Sequence, residues 1–244
     1  MTRSIGSVSD PEPRPIEAAV FDMDGVLLDS EPVWRAVERE VFGGLGIRVT
    51  DDDLRETMGV RIADVVAGWH GRHPWAEPSV EEVAETVVER VARTIEETGT
   101  LHAGVREAIE GFERSGVRLA LASSSPMRLI TAVLRMGRLE DRFEVTVTAE
   151  DDERGKPHPD VYLRAARTLG VPPERCLAIE DSINGVRSAK TAGMVCVAVP
   201  APDNDAPFDE ADLVLGSLEE LDDRVWASTG TVPSPARSGA RTAD

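Results

Sequence analysis

Between residues 16 and 215 the chain alternates short apolar runs with stretches of helical periodicity, and this alternation limits its fold more than any other feature. Ile16 to Phe21, Val117 to Ala122, Phe143 to Thr148, Arg175 to Ile179 and Val195 to Val199 read as strands, with Asp212 to Leu215 as a last short edge strand. Val105 to Arg114, Pro126 to Met136, Pro159 to Leu169 and Ile183 to Ala192 read as the helices between them. Pro126 stands at a helix start, and Gly170 and Gly193 each close one. Strand–helix–strand repetition of this kind gives an α/β fold, a parallel sheet covered on both faces. No strand pattern interrupts residues 31–102. There Pro32 to Gly46, Arg61 to Trp69 and Val80 to Thr98 read as helices, so the block is expected as an all-helical insertion.

The expected organisation is a core over 16–30 and 103–226, a helical domain over 31–102, and disordered tails at 1–15 and 227–244, which are rich in Pro, Ser, Thr, Gly and Ala. A formal net charge of −18 argues against nucleic acid or an anionic membrane as partner. No apolar stretch approaches the ~20 residues that span a bilayer. The N-terminus lacks the apolar segment of a secretory signal, so a cytoplasmic location is expected. Cys176 and Cys196 lie inside apolar strand runs and read as buried thiols. Two lysines, Lys156 and Lys190, stand against 25 arginines, which draws attention to any lysine in a polar loop.

Polar residues collect where the strands end. Asp22 and Asp24 follow the first strand, with Gly25 marking a turn; Ser123, Ser124 and Ser125 follow the second, just before a helix. Gly155-Lys156-Pro157 opens the loop after the third, and Glu180-Asp181-Ser182 ends the fourth. In a parallel sheet these ends face one crevice, where ligands bind. Taken alone, Asp-x-Asp-Gly is also ordinary turn chemistry, and a serine or aspartate before a helix is commonly a cap. Together these residues can perform phosphoryl transfer. Asp22 would be the nucleophile, and Mg2+ held by Asp22 and Asp181 would offset the repulsion between two anions. Serine hydroxyls and backbone N–H groups at a helix start suit phosphate, and Lys156 would stabilise charge on its oxygens. Asp24 would protonate the leaving oxygen and then activate water.

The set Asp-Met-Asp-Gly-Val at 22–26, the Ser123 strand end, Gly-Lys-Pro-His-Pro-Asp at 155–160 and Glu-Asp-Ser-Ile-Asn-Gly at 180–185 resembles the four motifs of the haloacid dehalogenase superfamily. The resemblance implies a Rossmann-like core with an inserted all-helical cap and Mg2+-dependent transfer through aspartate. It makes Asp22 the nucleophile and Asp24 the acid/base, with the Asp24 backbone carbonyl also on the metal. It assigns Ser123 and Lys156, with Ser124, to phosphate, Asp181 to Mg2+, Glu180 to the metal from its first or second shell, and Asn184 to orienting a neighbour.

The position of the helical insert resembles the branch shared by sugar phosphatases and β-phosphoglucomutase. Asp24 argues against a true dehalogenase, which has no leaving oxygen to protonate. A phosphonoacetaldehyde hydrolase would need a cap lysine, and residues 31–102 contain none. Mutase relatives carry a histidine where this chain has Trp34 and a cap lysine that contacts substrate, so hydrolysis is favoured over β-phosphoglucomutase-like transfer or action on another small phosphomonoester. Segments such as Thr57–Arg61, Val65–Trp69 and Asp29–Trp34 resemble phosphatases of phosphorylated hexitols and hexoses. A small phosphorylated substrate and a monomer are expected. Arg61 is a candidate to reach that substrate from the cap. Trp34, Trp69 and Trp75 read as cap core, His70 and His73 as surface, Asp151-Asp152-Glu153 as a solvated acidic face, and Ser30–Pro32 with His102–Gly104 as hinges.

Overall fold

Successive residues of the first strand feed two different apolar layers: Ala18 and Val20 pack on one side of the sheet, Ala19 and Phe21 on the other. A strand buried on both faces reads as an unbroken apolar run, which is how Ala18–Phe21 appears in the sequence. The computed structural model describes residues 15–201, 204 and 206–221. The tails expected at 1–15 and 227–244 lie outside the described residues, Pro15 apart.

Six strands form one parallel sheet: β1 (Ala18–Phe21), β2 (Arg118–Ser123), β3 (Val145–Thr148), β4 (Cys176–Glu180), β5 (Val195–Ala198) and β6 (Leu213–Val214), in the order β3-β2-β1-β4-β5-β6. The chain leaves β1 toward β2 and β3, then returns to its other side with β4. A sheet that reverses its order at β1 opens a crevice beyond the carboxyl end of that strand. Helices α5 (Val105–Arg114) and α6 (Met127–Gly137) cover the Phe21 face, while α7 (Asp160–Leu169) and α8 (Ile183–Thr191) cover the Val20 face. The α/β architecture with a helical insert is therefore as expected from the sequence.

Four helices fill the stretch between β1 and α5: α1 (Glu31–Gly44), α2 (Asp51–Thr57), α3 (Ile62–Arg72) and α4 (Val80–Thr98). Helix α2 was not anticipated. Its signal was the pair Thr50 and Asp53, which cap each other reciprocally: Asp53 N–H donates to Thr50 Oγ1 at 3.2 Å and Thr50 N–H to Asp53 Oδ2 at 2.9 Å. The passages into and out of the insert run side by side, with Leu28 bridged antiparallel to Leu101 and His102 N–H donating to Leu27 O at 2.9 Å. The apolar layer on the Phe21 face continues through Leu27 and Leu28 into Phe42, Val66, Trp69, Val87 and Val91, so insert and sheet share one contiguous core.

Two details differ from the sequence reading. Gly104 sits at φ +82°, and an added Cβ would lie 2.5 Å from Glu219 N, so this supposed hinge is a packed position where only glycine fits. The acidic run is not simply solvated: Arg164 pairs with Asp151 at 2.9 Å and with the buried side chain of Asp152 at 2.9 Å. Cys176 and Cys196 are buried and unbridged, and burial pushes the Cys176 thiol up to about 12. No helix among the described residues is long and apolar enough to cross a membrane.

Candidate active site

Parallel register delivers the polar residues together. Phe21 stands opposite Leu121 on one side and Ile179 on the other, so the next residues of β1, β2 and β4 emerge side by side. Asp22 continues the ladder by donating its N–H to Ile179 O at 2.9 Å. The chain then turns at Gly25, φ +73°, where a Cβ would lie 1.9 Å from Asp181 Oδ2. Glycine is what lets this turn pass directly against the Asp181 carboxylate.

Lys156 lies at the centre of the charge. It is 2% exposed, and its Nζ is 2.9 Å from Asp22 Oδ1 and 2.6 Å from Glu180 Oε1. Burial alone would lower its pKa, but the two carboxylates outweigh this and raise it, so the ammonium stays charged. Burial, the Glu180 charge and the Asp24 charge push Asp22 up to about 7 against the pull of Lys156. Asp181 is raised by burial first, then by the Glu180 and Asp22 charges. One buried cation among three buried carboxylates leaves a local excess of negative charge.

Glu180 is held from several sides. Its Oε1 accepts from Lys156 Nζ and Tyr162 OH, and its Oε2 from the N–H of Asp181 and the Ser182 hydroxyl. It thereby orients Lys156 while remaining beside the Asp22 and Asp181 carboxylates. Tyr162, on α7, was not foreseen; its helical position looks like ordinary core.

Asp24 accepts three hydrogen bonds, from Ser30 Oγ at 2.6 Å, Trp34 Nε1 at 2.9 Å and Ser125 Oγ at 2.6 Å. Trp34 is therefore not merely cap packing: its indole orients the proposed acid/base. Trp34→Phe keeps the ring area and removes this one donor. It should lower kcat about 10- to 100-fold with little change in KM. An unchanged kcat in steady-state assays would reduce Trp34 to a packing residue.

Ser123 ends β2 with its Oγ accepting from Ser125 N–H at 3.0 Å, inside the crevice. Ser124 donates to Gly59 O at 2.7 Å, and Asn184 donates to Met58 O at 2.9 Å. Both tie the core to the loop between α2 and α3, and Ser124 also lines the crevice. Arg61 is not among the residues that line the crevice. Its guanidinium donates to Ala149 O at 3.1 Å and Asp152 O at 2.8 Å, while Nε pairs with Asp64 at 2.7 Å. Backbone carbonyls past β3 form this acceptor set, and no sequence pattern marks carbonyls in space. His70 faces Trp75 O at 3.1 Å, and the His73 ring stacks on Trp69, so the histidines belong to the cap surface as expected.

The crevice is lined by Asp22, Asp24 and Ser123–Ser125 on the sheet side and by Glu31, Trp34, Arg35 and Glu38 of α1 opposite, with Leu54, Ile62 and Val65 beside them. Its free volume is about 50 Å3, room for a few waters and far below the ~300 Å3 of a ligand pocket. Glu38 is 7% exposed, and burial, then the nearby Glu31 charge, pushes its carboxyl up to about 8. A folded pKa of about 8 against an unfolded 4.5 means stability present below pH ~4.5 is lost as pH rises toward 8. Glu38→Gln should remove this slope and exceed wild type at pH 8 by about 2–4 kcal/mol, read from urea unfolding at pH 5 and pH 8.

Carboxylate oxygens of Asp22, Asp181 and Glu180 lie within 4.8 Å of one another, all buried. Hard oxygen donors with uncompensated charge suit a divalent cation such as Mg2+. Asp22 and Asp181 would hold it, with Glu180 beside them.

Residues 16–193 match the haloacid dehalogenase-like hydrolase family. The chain is 46% identical over 212 residues to hexitol phosphatase B of Escherichia coli, covering 86% of this chain and 96% of that relative. The crystal structure of CbbY from Rhodobacter sphaeroides in complex with phosphate superposes with a TM-score of 0.76 at 32% identity, over 84% of this chain and 96% of CbbY. β-Phosphoglucomutase from Clostridium difficile shares the fold, with a TM-score of 0.78 at 23% identity over 88% of this chain and 97% of that one. With the clustered carboxylates, the buried lysine and the helical insert all in place, the chain belongs to the haloacid dehalogenase-like hydrolases and is an enzyme of their phosphatase type.

Proposed function

We propose that the enzyme is a Mg2+-dependent phosphatase of small sugar phosphates, of the hexitol-6-phosphate and 2-deoxyglucose-6-phosphate type, acting in the cytoplasm as a monomer through an aspartyl-phosphate on Asp22. The observation that carries this is the pairing of a buried ion pair with a fixed, partly buried carboxyl across one crevice. Lys156 sits 2.9 Å from Asp22 on one side, and Asp24 is fixed by three donors on the other. The relationship to hexitol phosphatase B supports the substrate class.

A carboxylate oxygen of Asp22 attacks phosphorus while the bond from phosphorus to the sugar oxygen breaks. Asp24 gives its proton to that oxygen, and the alcohol leaves. Asp24 then takes a proton from water, whose oxygen attacks the phosphoryl group and frees Asp22 with release of phosphate. Lys156, Ser123 and backbone N–H groups before α6 hold the equatorial oxygens. Mg2+ on Asp22 and Asp181, with the Asp24 carbonyl, would neutralise charge between nucleophile and phosphate.

Residues 31–102 act as a cap that opens to admit substrate and closes through Arg61, Ser124 and Asn184, each bonded across the cap–core boundary. The test is phosphate release, with Mg2+ or with chelator, from sorbitol-6-phosphate, mannitol-6-phosphate, 2-deoxyglucose-6-phosphate, β-glucose-1-phosphate, phosphoglycolate and nucleoside monophosphates. Fastest release from the hexitol and hexose phosphates, lost on chelation, is expected. Conversion of β-glucose-1-phosphate to glucose-6-phosphate with little free phosphate would make the enzyme a mutase.

A further inference from the structure

We propose that Glu38 is the residue that selects hydroxylated substrates, its buried carboxyl hydrogen-bonding a hydroxyl on the carbon chain of the phosphate ester. This rests on the sugar-phosphate function proposed above and names the contact that would produce it. Glu38 lines the same crevice as Asp22 and Asp24, is 7% exposed, and its Oε2 has no hydrogen-bond partner among the described residues. A carboxyl buried without a partner costs stability, and an apolar residue at this place on α1 would pack without that cost. Among the described residues no donor meets Oε2, which points to a ligand group.

Helix geometry puts it at a useful distance. Glu31, Trp34, Arg35 and Glu38 follow the i, i+3, i+4, i+7 spacing and share one face of α1. Trp34 touches the acid/base Asp24 at 2.9 Å, and Glu38 stands one turn further along, about 6 Å. An ester oxygen delivered to Asp24 would therefore bring the sugar carbons, and not the phosphate, past Glu38. On the same helix Glu31 is answered by Arg35, whose Nε lies 3.4 Å away, so Glu38 is the polar group on this wall left for substrate. Leu54, Ile62 and Val65 beside it exclude water that would otherwise compete.

The chemistry also states what the site rejects. A hydroxyl can donate to or accept from a carboxyl, whereas a substrate tail without hydroxyls leaves Glu38 unpaired. Hexitol and hexose monophosphates fit this wall; p-nitrophenyl phosphate does not.

The experiment compares wild type, Glu38→Gln and Glu38→Leu by steady-state kinetics on sorbitol-6-phosphate, phosphoglycolate and p-nitrophenyl phosphate, which has no hydroxyl chain. For Glu38→Leu, the ratio of kcat/KM on sorbitol-6-phosphate to that on p-nitrophenyl phosphate should fall about 10- to 100-fold, mainly through KM. Glu38→Gln, still able to hydrogen-bond, should recover most of that ratio, and it carries the test if the leucine variant does not fold. Parallel changes on all three esters would show a purely structural role and overturn the proposal, as would unchanged ratios. If wild type cleaves p-nitrophenyl phosphate but no hexitol or hexose phosphate, the sugar-phosphate function itself fails and this inference with it. If wild type prefers the sugar phosphates and the variants keep that preference, only the role of Glu38 is lost.

Discussion

Asp22→Asn is expected to reduce phosphate release by roughly 10^4-fold or more while folding like wild type. The amide occupies the same volume at the end of β1 but cannot form the acyl phosphate. Other groups in the crevice still bind the ester, so KM should change far less than kcat. Stability should move the opposite way. The Asp22 carboxyl is held at about 7, against 3.8 for an ordinary aspartate, first by burial and then by the balance of Lys156 against Glu180 and Asp24. A raised folded pKa means that stability present below pH ~4 is lost as pH rises through ~7. In chelator, the melting temperature of Asp22→Asn should therefore match wild type at pH 4 and exceed it at pH 8. Substantial turnover in the variant, freed of contaminating wild type, would remove the covalent step from the mechanism.

Lys156→Met should cost both activity and fold. The lysine joins Asp22 and Glu180 at 2.9 Å and 2.6 Å with no solvent around it. Removing one partner of a buried ion set leaves uncompensated charge, a loss of about 3–5 kcal/mol, and here two carboxylates are abandoned. Phosphate release should become undetectable, since Arg35, the other cation lining the crevice, is paired with Glu31 on α1 rather than placed beside Asp22. The double variant Lys156→Met with Glu180→Gln separates the two losses: urea unfolding should recover in part, because a buried anion is gone, while turnover should not. A Lys156→Met protein as stable as wild type would mean that the ion set does not hold the loop after β3 in place.

The carboxylates and the lysine proposed for catalysis were legible as candidates because each sits at the end of a local pattern. Asp22 ends an apolar run, Ser123 precedes a helix, and Glu180 and Asp181 stand between β4 and the Ser182 cap of α8. Strand periodicity and turn residues are local signals, so they survive without coordinates. Helix α2 had such a signal too, in Thr50 and Asp53, but its seven residues are too short for periodicity to show.

Other parts were misread for a common reason. Trp34 looks like one more apolar helix position, and only the rotation of α1 above the sheet turns its N–H toward Asp24. Arg61 looks like a cation for a phosphate, yet carbonyls of Ala149 and Asp152, about ninety residues on, take it instead. Asn184 and Ser124 sit in the right motifs, and packing of the insert against the core directs both to its backbone. Glu38 carries no signal at all, since a glutamate on an amphipathic helix is ordinarily solvated.

By itself, then, the sequence determined the order of strands and helices, the helical insert after β1 and the four strand ends proposed to carry phosphoryl-transfer chemistry, because periodicity, turns and motif spacing act over neighbouring residues. Only the tertiary structure decided which oxygens of Glu180 are occupied, which side chains bond across the boundary between insert and core and which carboxyl is buried in the crevice wall, because burial and hydrogen-bond partnership depend on segments far apart in the chain.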